Sequence, residues 1–248
     1  MLSKALMGAG GQGGGIEFVG GGSHLVAGTN ADPSVSLTSL TGGIGSTAET
    51  DDLVVYLWAK VTSADTDMTM VTSGYTEVAD LHLIDPGAIT GIDFAVYYKK
   101  MGATPDTTAV ANNTNGASNG IVHIGIAMVF RGVDTVTPLD VTSTTATGIN
   151  QVHVNPPSIT PVTTGAFIVA LGGSAYTTTN RTYSESGVYE NWLERDGVHA
   201  GAFNLGCAAF IGCYPWDGVG AEDPAQVNMT TSTANDSWAS ATLALRPA

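Results

Sequence analysis

The sequence predicts an all-β fold: a β-sandwich of jelly-roll type, about ten or more antiparallel strands in two pseudo-repeated halves. Three observations predict it. Apolar residues recur at a period near two or in short unbroken runs, and helical three-four spacing is weak throughout. Each run is bounded by Gly, Asn, Asp or Pro. Landmarks of the first half return in the same order in the second, at offsets of 113 to 124. The clearest run is GIVHIGIAMVFRGVD (120–134). Val122, Ile124 and Ile126 point one way with Ile121, His123 and Gly125 opposite, then Ala127 to Phe130 run apolar, the pattern of a strand buried between two layers. Arg131 to Asp134 end it in a polar turn. TLALRPA (242–248) repeats the plan, and the two read as central strands of a duplicated structure.

Taken in order, residues 1–23 form a Gly-rich arm, with glycine clusters at 10–11, 13–15 and 20–22 that hold no structure alone. Its apolar residues Leu2, Leu6, Met7, Ile16 and Phe18 suit an anchoring arm that packs on a partner; the alternative is a frayed terminus. The sandwich then covers 24–248, in halves of about 24–150 and 151–248. SVSLTSL (34–40) alternates cleanly, and DLVVYLWAKV (52–61) reads as a buried strand. GYTEVADLHLI (74–84) and DFAVYYKKM (93–101) follow; LDVTSTTATG (139–148) is a polar edge strand or a loop. The second half opens at Pro156-Pro157. SITPVTTGAFIVALGGSAY (158–176) supplies a strand, a turn and a buried strand, and VYENWLERDG (188–197), FNLGCAAFIGCY (203–214) and SWASATLALR (237–246) complete it. Four matches carry the repeat: Pro33 with Pro157, Asp52 with Gly165, Ser73 with Ser186 at an offset of 113, and Arg131 with Arg246 at an offset of 115.

Composition narrows the function classes. Gly is 32 of 248 residues and only 12% are charged, about half the usual share. The formal net charge is −14, and no basic cluster exceeds Lys99-Lys100, so a nucleic-acid phosphate surface is not expected. No run approaches the ~18 apolar residues of a membrane span. The N-terminus lacks the apolar core of a signal peptide, so export by that route is not expected. Cys207 and Cys213 share one predicted strand at ~20 Å separation, too far to bridge, and read as small buried hydrophobes.

The five histidines, His24, His82, His123, His153 and His199, are scattered with no metal-ligand spacing. Asp65-Thr66-Asp67 and Glu222-Asp223 cluster carboxylates, the ligands of hard ions, but without EF-hand spacing; no metal and no cofactor is assigned. Glu190 and Glu194 share a parity that puts both on one strand face, yet a glycosidase needs opposed carboxylates across a cleft. No catalytic residue is assigned. The densest aromatic patch joins Tyr189 and Trp192 to Tyr214, Trp216 and Asp217, a composition suited to stacking on a sugar face. The alternative is that Trp216 plugs the end of the sandwich.

The strings DDLVVYLWAKV (51–61), TSGYTEVA (72–79), VYYKK (96–100), FRGVDTVTPLDV (130–141) and the closing Trp238 to Pro247 resemble a family of bacteriophage β-sandwich proteins found as tail-fibre, head-fibre and spike components. The likeness spans about 25–248, with FRGVDTVTPLDV its most specific element. The sequence departs at Tyr75, where the family more often carries Trp. The resemblance implies a non-enzymatic virion protein made in the host cytoplasm. It would be held by its N-terminal arm to other virion proteins as a homo-oligomer, a trimer among the candidates. Host-surface polysaccharide is the candidate ligand. A capsid decoration or cement protein and a virion-associated glycan hydrolase are the alternatives.

Overall fold

The computed structural model describes residues 15–84, 91–113, 122–149, 153–177, 182–184, 187–199, 205–218, 220–229 and 236–248. In the first half the strands are β1 (Glu17–Ala27), β2 (Ser34–Ser36), β3 (Leu53–Thr62), β4 (Thr69–Met70), β5 (Thr76–Ile84), β6 (Gly91–Lys100), β7 (Thr108–Asn112) and β8 (Val122–Arg131). In the second half they are β9 (Thr144–Ile149), β10 (His153–Val154), β11 (Phe167–Thr177), β12 (Tyr183–Ser184), β13 (Asn191–His199), β14 (Leu205–Pro215), β15 (Val227–Met229) and β16 (Ser237–Leu245). All named pairings are antiparallel.

The first half pairs its strands in the order β1-β8-β3-β6-β5, with a small sheet β2-β7-β4. The second half runs β9-β16-β11-β14-β13, with a small sheet β10-β15-β12. Shifting every label by eight turns one half into the other. Each half is therefore a jelly roll, a double-sheet wrap of eight strands, and the chain is two of them in tandem.

Four layers result. The two five-stranded sheets face each other across one shared core, in which Phe94, Ile124, Met128 and Phe130 meet Val169, Leu171, Ile211 and Leu243. Outside the first large sheet, Val54, Tyr56 and Trp58 pack with Val35, Leu37 and Ala109 of the small-sheet layer. Outside the second, Ile168, Phe210 and Ala244 pack with Val154, Tyr183 and Val227. This explains the unbroken apolar runs: β3 sends Leu53, Val55 and Leu57 into the shared core and Val54, Tyr56 and Trp58 into the outer one, so no residue of β3 is exposed. β1 stacks over β13, β8 over β14, β3 over β11, β6 over β16 and β5 over β9.

Four expectations change. The boundary at residue 23 falls inside β1, whose register on β8 runs from Glu17 opposite Arg131 to Ala27 opposite Val122. Ile16 and Phe18 accordingly sit in the shared core, Phe18 with its ring 5.9 Å from that of Phe130, and neither is free to anchor a partner. The glycine run assigned to the arm is a close approach: a Cβ on Gly21 would collide with Leu193 Cδ1 of the opposing sheet. Leu2, Leu6 and Met7 lie outside the described residues. The middle strands of the large sheets are β3 and β11, with β8 and β16 beside them. The counterpart of β2 is β10, which precedes Pro157, so the match of Pro33 with Pro157 is displaced; Ile159 makes only an isolated bridge to Glu222. Residues 139–148 resolve into a joining segment and the edge strand β9. Both cysteines are free and buried on β14, and burial pushes their thiols up.

Candidate functional site

The aromatic patch is brought together, largely as core. Trp192 lies stacked on Phe210 at 4.8 Å and tilted 5.5 Å from Tyr189, which meets Tyr214 edge-on at 5.7 Å. Tyr189 donates to the Ala225 carbonyl at 2.9 Å, and Tyr214 to Glu222 Oε1 at 2.6 Å. Burial, then the Glu222 carboxylate, holds the Tyr214 phenol protonated well above the ordinary tyrosine range. With Tyr189 and Tyr214 at 6% and 7% exposure, neither offers a face to a ligand. Trp192 and Trp216 keep part of their surface, and Asp217 is exposed. Trp216 is fixed by its backbone N–H to the Ala166 carbonyl at 2.7 Å. What remains is a rim of two indoles and a carboxylate backed by a rigid ring stack. Glu194 Oε2 accepts the Tyr183 N–H at 3.1 Å, so the carboxylate the hydrolase alternative needs is already used in holding β12.

The string FRGVDTVTPLDV is the join between the jelly rolls. Phe130 ends β8 in the shared core, and Arg131 makes a two-pronged bond to Asp52 at 2.9 Å for each contact, with Glu49 2.9 Å away. Asp134 Oδ1 accepts the N–H groups of Val136 and Thr137, closing the turn. The chain end then zips onto this segment: Asp134 N–H to Arg246 O, Arg246 N–H to Pro138 O, Asp140 N–H to Ala244 O, and Ala248 N–H to Gly132 O, at 2.8–2.9 Å. Asp140, 5% exposed, takes Val162 and Thr163 N–H on Oδ2 and Arg246 Nε on Oδ1. An open groove of about 460 Å³ runs beside the join, lined by Glu77, Tyr98, Thr137, Thr142, Ser143 and Arg246 among others.

A third place is a row of ionisable residues that no local motif announces. On the outer face of the first large sheet, register sets His82 opposite Asp93, Asp93 opposite Lys60, and Lys60 opposite His123, across four strands. Lys60, Asp93 and His123 are each at most 1% exposed. His82 Nδ1 bonds Asp93 Oδ1, Thr66 donates to Asp93 Oδ2, and Lys60 Nζ donates to Thr66 at 3.3 Å. His123 Nε2 meets Asn113 Nδ2 at 3.0 Å, and burial, then the Lys60 charge, lowers its imidazole to about 4.

Among the described residues no helix is long and apolar enough to cross a membrane. The fold defines a tandem jelly-roll protein. No family model matches the chain, and no curated protein or solved structure matches it.

Proposed function

We propose that the chain is a non-enzymatic structural protein of a bacteriophage virion, displayed on the particle as a homo-oligomer and presenting a glycan-contacting rim. The observation that carries this reading is the tandem jelly roll joined at FRGVDTVTPLDV, the string on which the resemblance to phage fibre and spike components rests. Jelly rolls recur in viral capsid and lectin domains, and a four-layer slab with one continuous core suits a part that bears load. Attachment falls to the segment preceding β1, with other virion proteins as partners. The glycan contact falls to Trp192, Trp216 and Asp217, whose backing rings are already held in place, so little ordering is needed on binding.

The test is mass spectrometry of gradient-purified virions from a host carrying the gene. A fixed copy number per particle is the expected result; absence from particles overturns the reading. Binding of the purified chain to host capsule polysaccharide, lost in Trp216→Ala, separates a receptor-contacting protein from one that only decorates the particle.

A further inference from the structure

We propose that the outer end of the ionisable row is a binding site for one divalent transition ion of the zinc class, held by His82 Nδ1 and the carboxylates of Asp93 and Asp65. Their ligand atoms all lie within 4.8 Å of one another and come from three places: Asp65 in the loop between β3 and β4, His82 on β5 and Asp93 on β6. Tetrahedral ligands ~2.1 Å from zinc stand ~3.4 Å apart. Asp65 is exposed, so its side chain can turn toward the other two, while His82 and Asp93 need only move apart from their hydrogen bond. One imidazole with two carboxylates favours zinc-like ions over calcium or magnesium, which take oxygen ligands. A fourth position on the solvent side is left for water.

The second jelly roll supplies an internal control. Met101 N–H bonds Asp52 O in the first half, and Trp216 N–H bonds Ala166 O in the second, at the same point of the fold. Counting eight residues from each along the paired strands carries Lys60 onto Ser174 and Asp93 onto Ala208; cross-strand register then carries His82 onto Asp196 and His123 onto Trp238. There the space over Ala208 is filled by Tyr183, whose hydroxyl donates to Ala208 O at 3.2 Å and meets Ser174 Oγ at 2.8 Å. The same architecture thus closes this position with a phenol, a hydroxyl and a methyl group. The first half instead buries a carboxylate and an ammonium side by side, an arrangement with a desolvation penalty that packing alone does not require. Further carboxylates lie close by: Glu77, Asp93 and Asp65 all act on Asp80.

Without metal, His82 and Thr66 satisfy Asp93 as hydrogen-bond partners. With metal, His82 and Asp93 give up their mutual bond and both face the ion. Lys60 stays against Thr66 and the Trp58 ring, 5.9 Å from its centroid. The ion would tie the loop between β3 and β4 to the edge strand β5.

The test is titration of the full chain with Zn²⁺ against a chromophoric chelator, with Co²⁺ as a spectroscopic probe. The expected result is one equivalent bound, with Co²⁺ d–d bands of a four- or five-coordinate nitrogen–oxygen site. Asp65→Asn, a surface change, should weaken binding at least tenfold, as should His82→Gln. His153→Gln serves as the control for scattered histidines and should leave binding unchanged. Stoichiometric binding that survives Asp65→Asn and His82→Gln, or a chain that takes up no Zn²⁺ at ~100 µM while remaining folded by circular dichroism, overturns the proposal.

Discussion

Replacing Asp140 by Ala should be among the most damaging single changes outside the apolar core. Three donors converge on this carboxylate: Val162 N–H at 2.6 Å, Thr163 N–H at 3.0 Å and Arg246 Nε at 3.2 Å. Truncation leaves two backbone N–H groups and the Arg246 Nε without their acceptor, while Arg246 Nη2 keeps the Asp140 carbonyl. Bonds to a charged group contribute ~1.5–3 kcal/mol each, and removing one member of a buried ion pair costs ~3–5 kcal/mol. Because Arg246 is partly exposed and regains water, the lower end applies: a loss of ~3–4 kcal/mol. Urea unfolding followed by tryptophan fluorescence measures it as a fall in midpoint at constant slope. Burial raises the Asp140 carboxyl, but the bonds from Thr163, Val162 and Arg246 together outweigh it and hold the group below the ordinary aspartate value. A depressed folded value means the stabilisation is present above the unfolded-state value of ~3.9 and lost as pH falls through the folded one. The gap between wild type and Asp140→Ala should therefore shrink in strong acid. A loss below ~1 kcal/mol at pH 7 would refute the claim that this residue locks the join.

Other consequences are as direct. Phe130→Ala, which removes a ring packed 5.9 Å from Phe18 and 5.7 Å from Phe167, should cost ~3–5 kcal/mol. Fluorescence and far-ultraviolet circular dichroism should still report one coincident transition, because both halves share that core; two separated transitions would show independent jelly rolls. His123, lowered to about 4 from 6.5, makes the folded state resist protonation, so stability should decline as pH drops from ~6.5 to ~4. In His123→Gln that acid limb should flatten in pH-dependent urea midpoints; an unchanged limb would place the titration elsewhere. Residues 1–134 expressed alone should fail to fold as a monomer, since the inner face of the first large sheet would meet water, and size-exclusion chromatography with circular dichroism checks this.

The duplication was legible because buried strands announce themselves. DLVVYLWAKV and GAFIVALGG are apolar on both faces apart from Asp52 and Lys60, and each pairs with the strand that leads into Arg131 or Arg246. β1 was hidden by its own chemistry: Gly20 to Gly22 read as part of an unstructured arm, whereas Gly21 is small because Leu193 of the other sheet occupies the space a Cβ would take. The short strands β4, β12 and β15 carry two or three residues each, too few for a period to register. The aromatic cluster was legible as a cluster, but not the burial of Tyr189 and Tyr214, which depends on Ala225 and Glu222 arriving from a later loop. The row His82–Asp93–Lys60–His123 could not be read at all. Its members come from four strands, and only antiparallel register aligns them.

The stacking of β1 over β13 and of β5 over β9 relates the two jelly rolls by an approximate dyad, which makes the chain a pseudodimer closed on itself. Its self-complementary faces are spent, so growth by stacking further copies is blocked. Sideways growth is discouraged as well. The free margin of β1 is occupied by the loop from Thr41 to Gly45, which bonds Phe18, Val19 and Gly21. The margin of β5 is bent by a bulge between Glu77 and Ala79 and flanked by the Glu77 and Asp80 charges. Both margins of the first large sheet are thus guarded by geometry, one by a covering loop and one by a charged bulge, rather than by lysine.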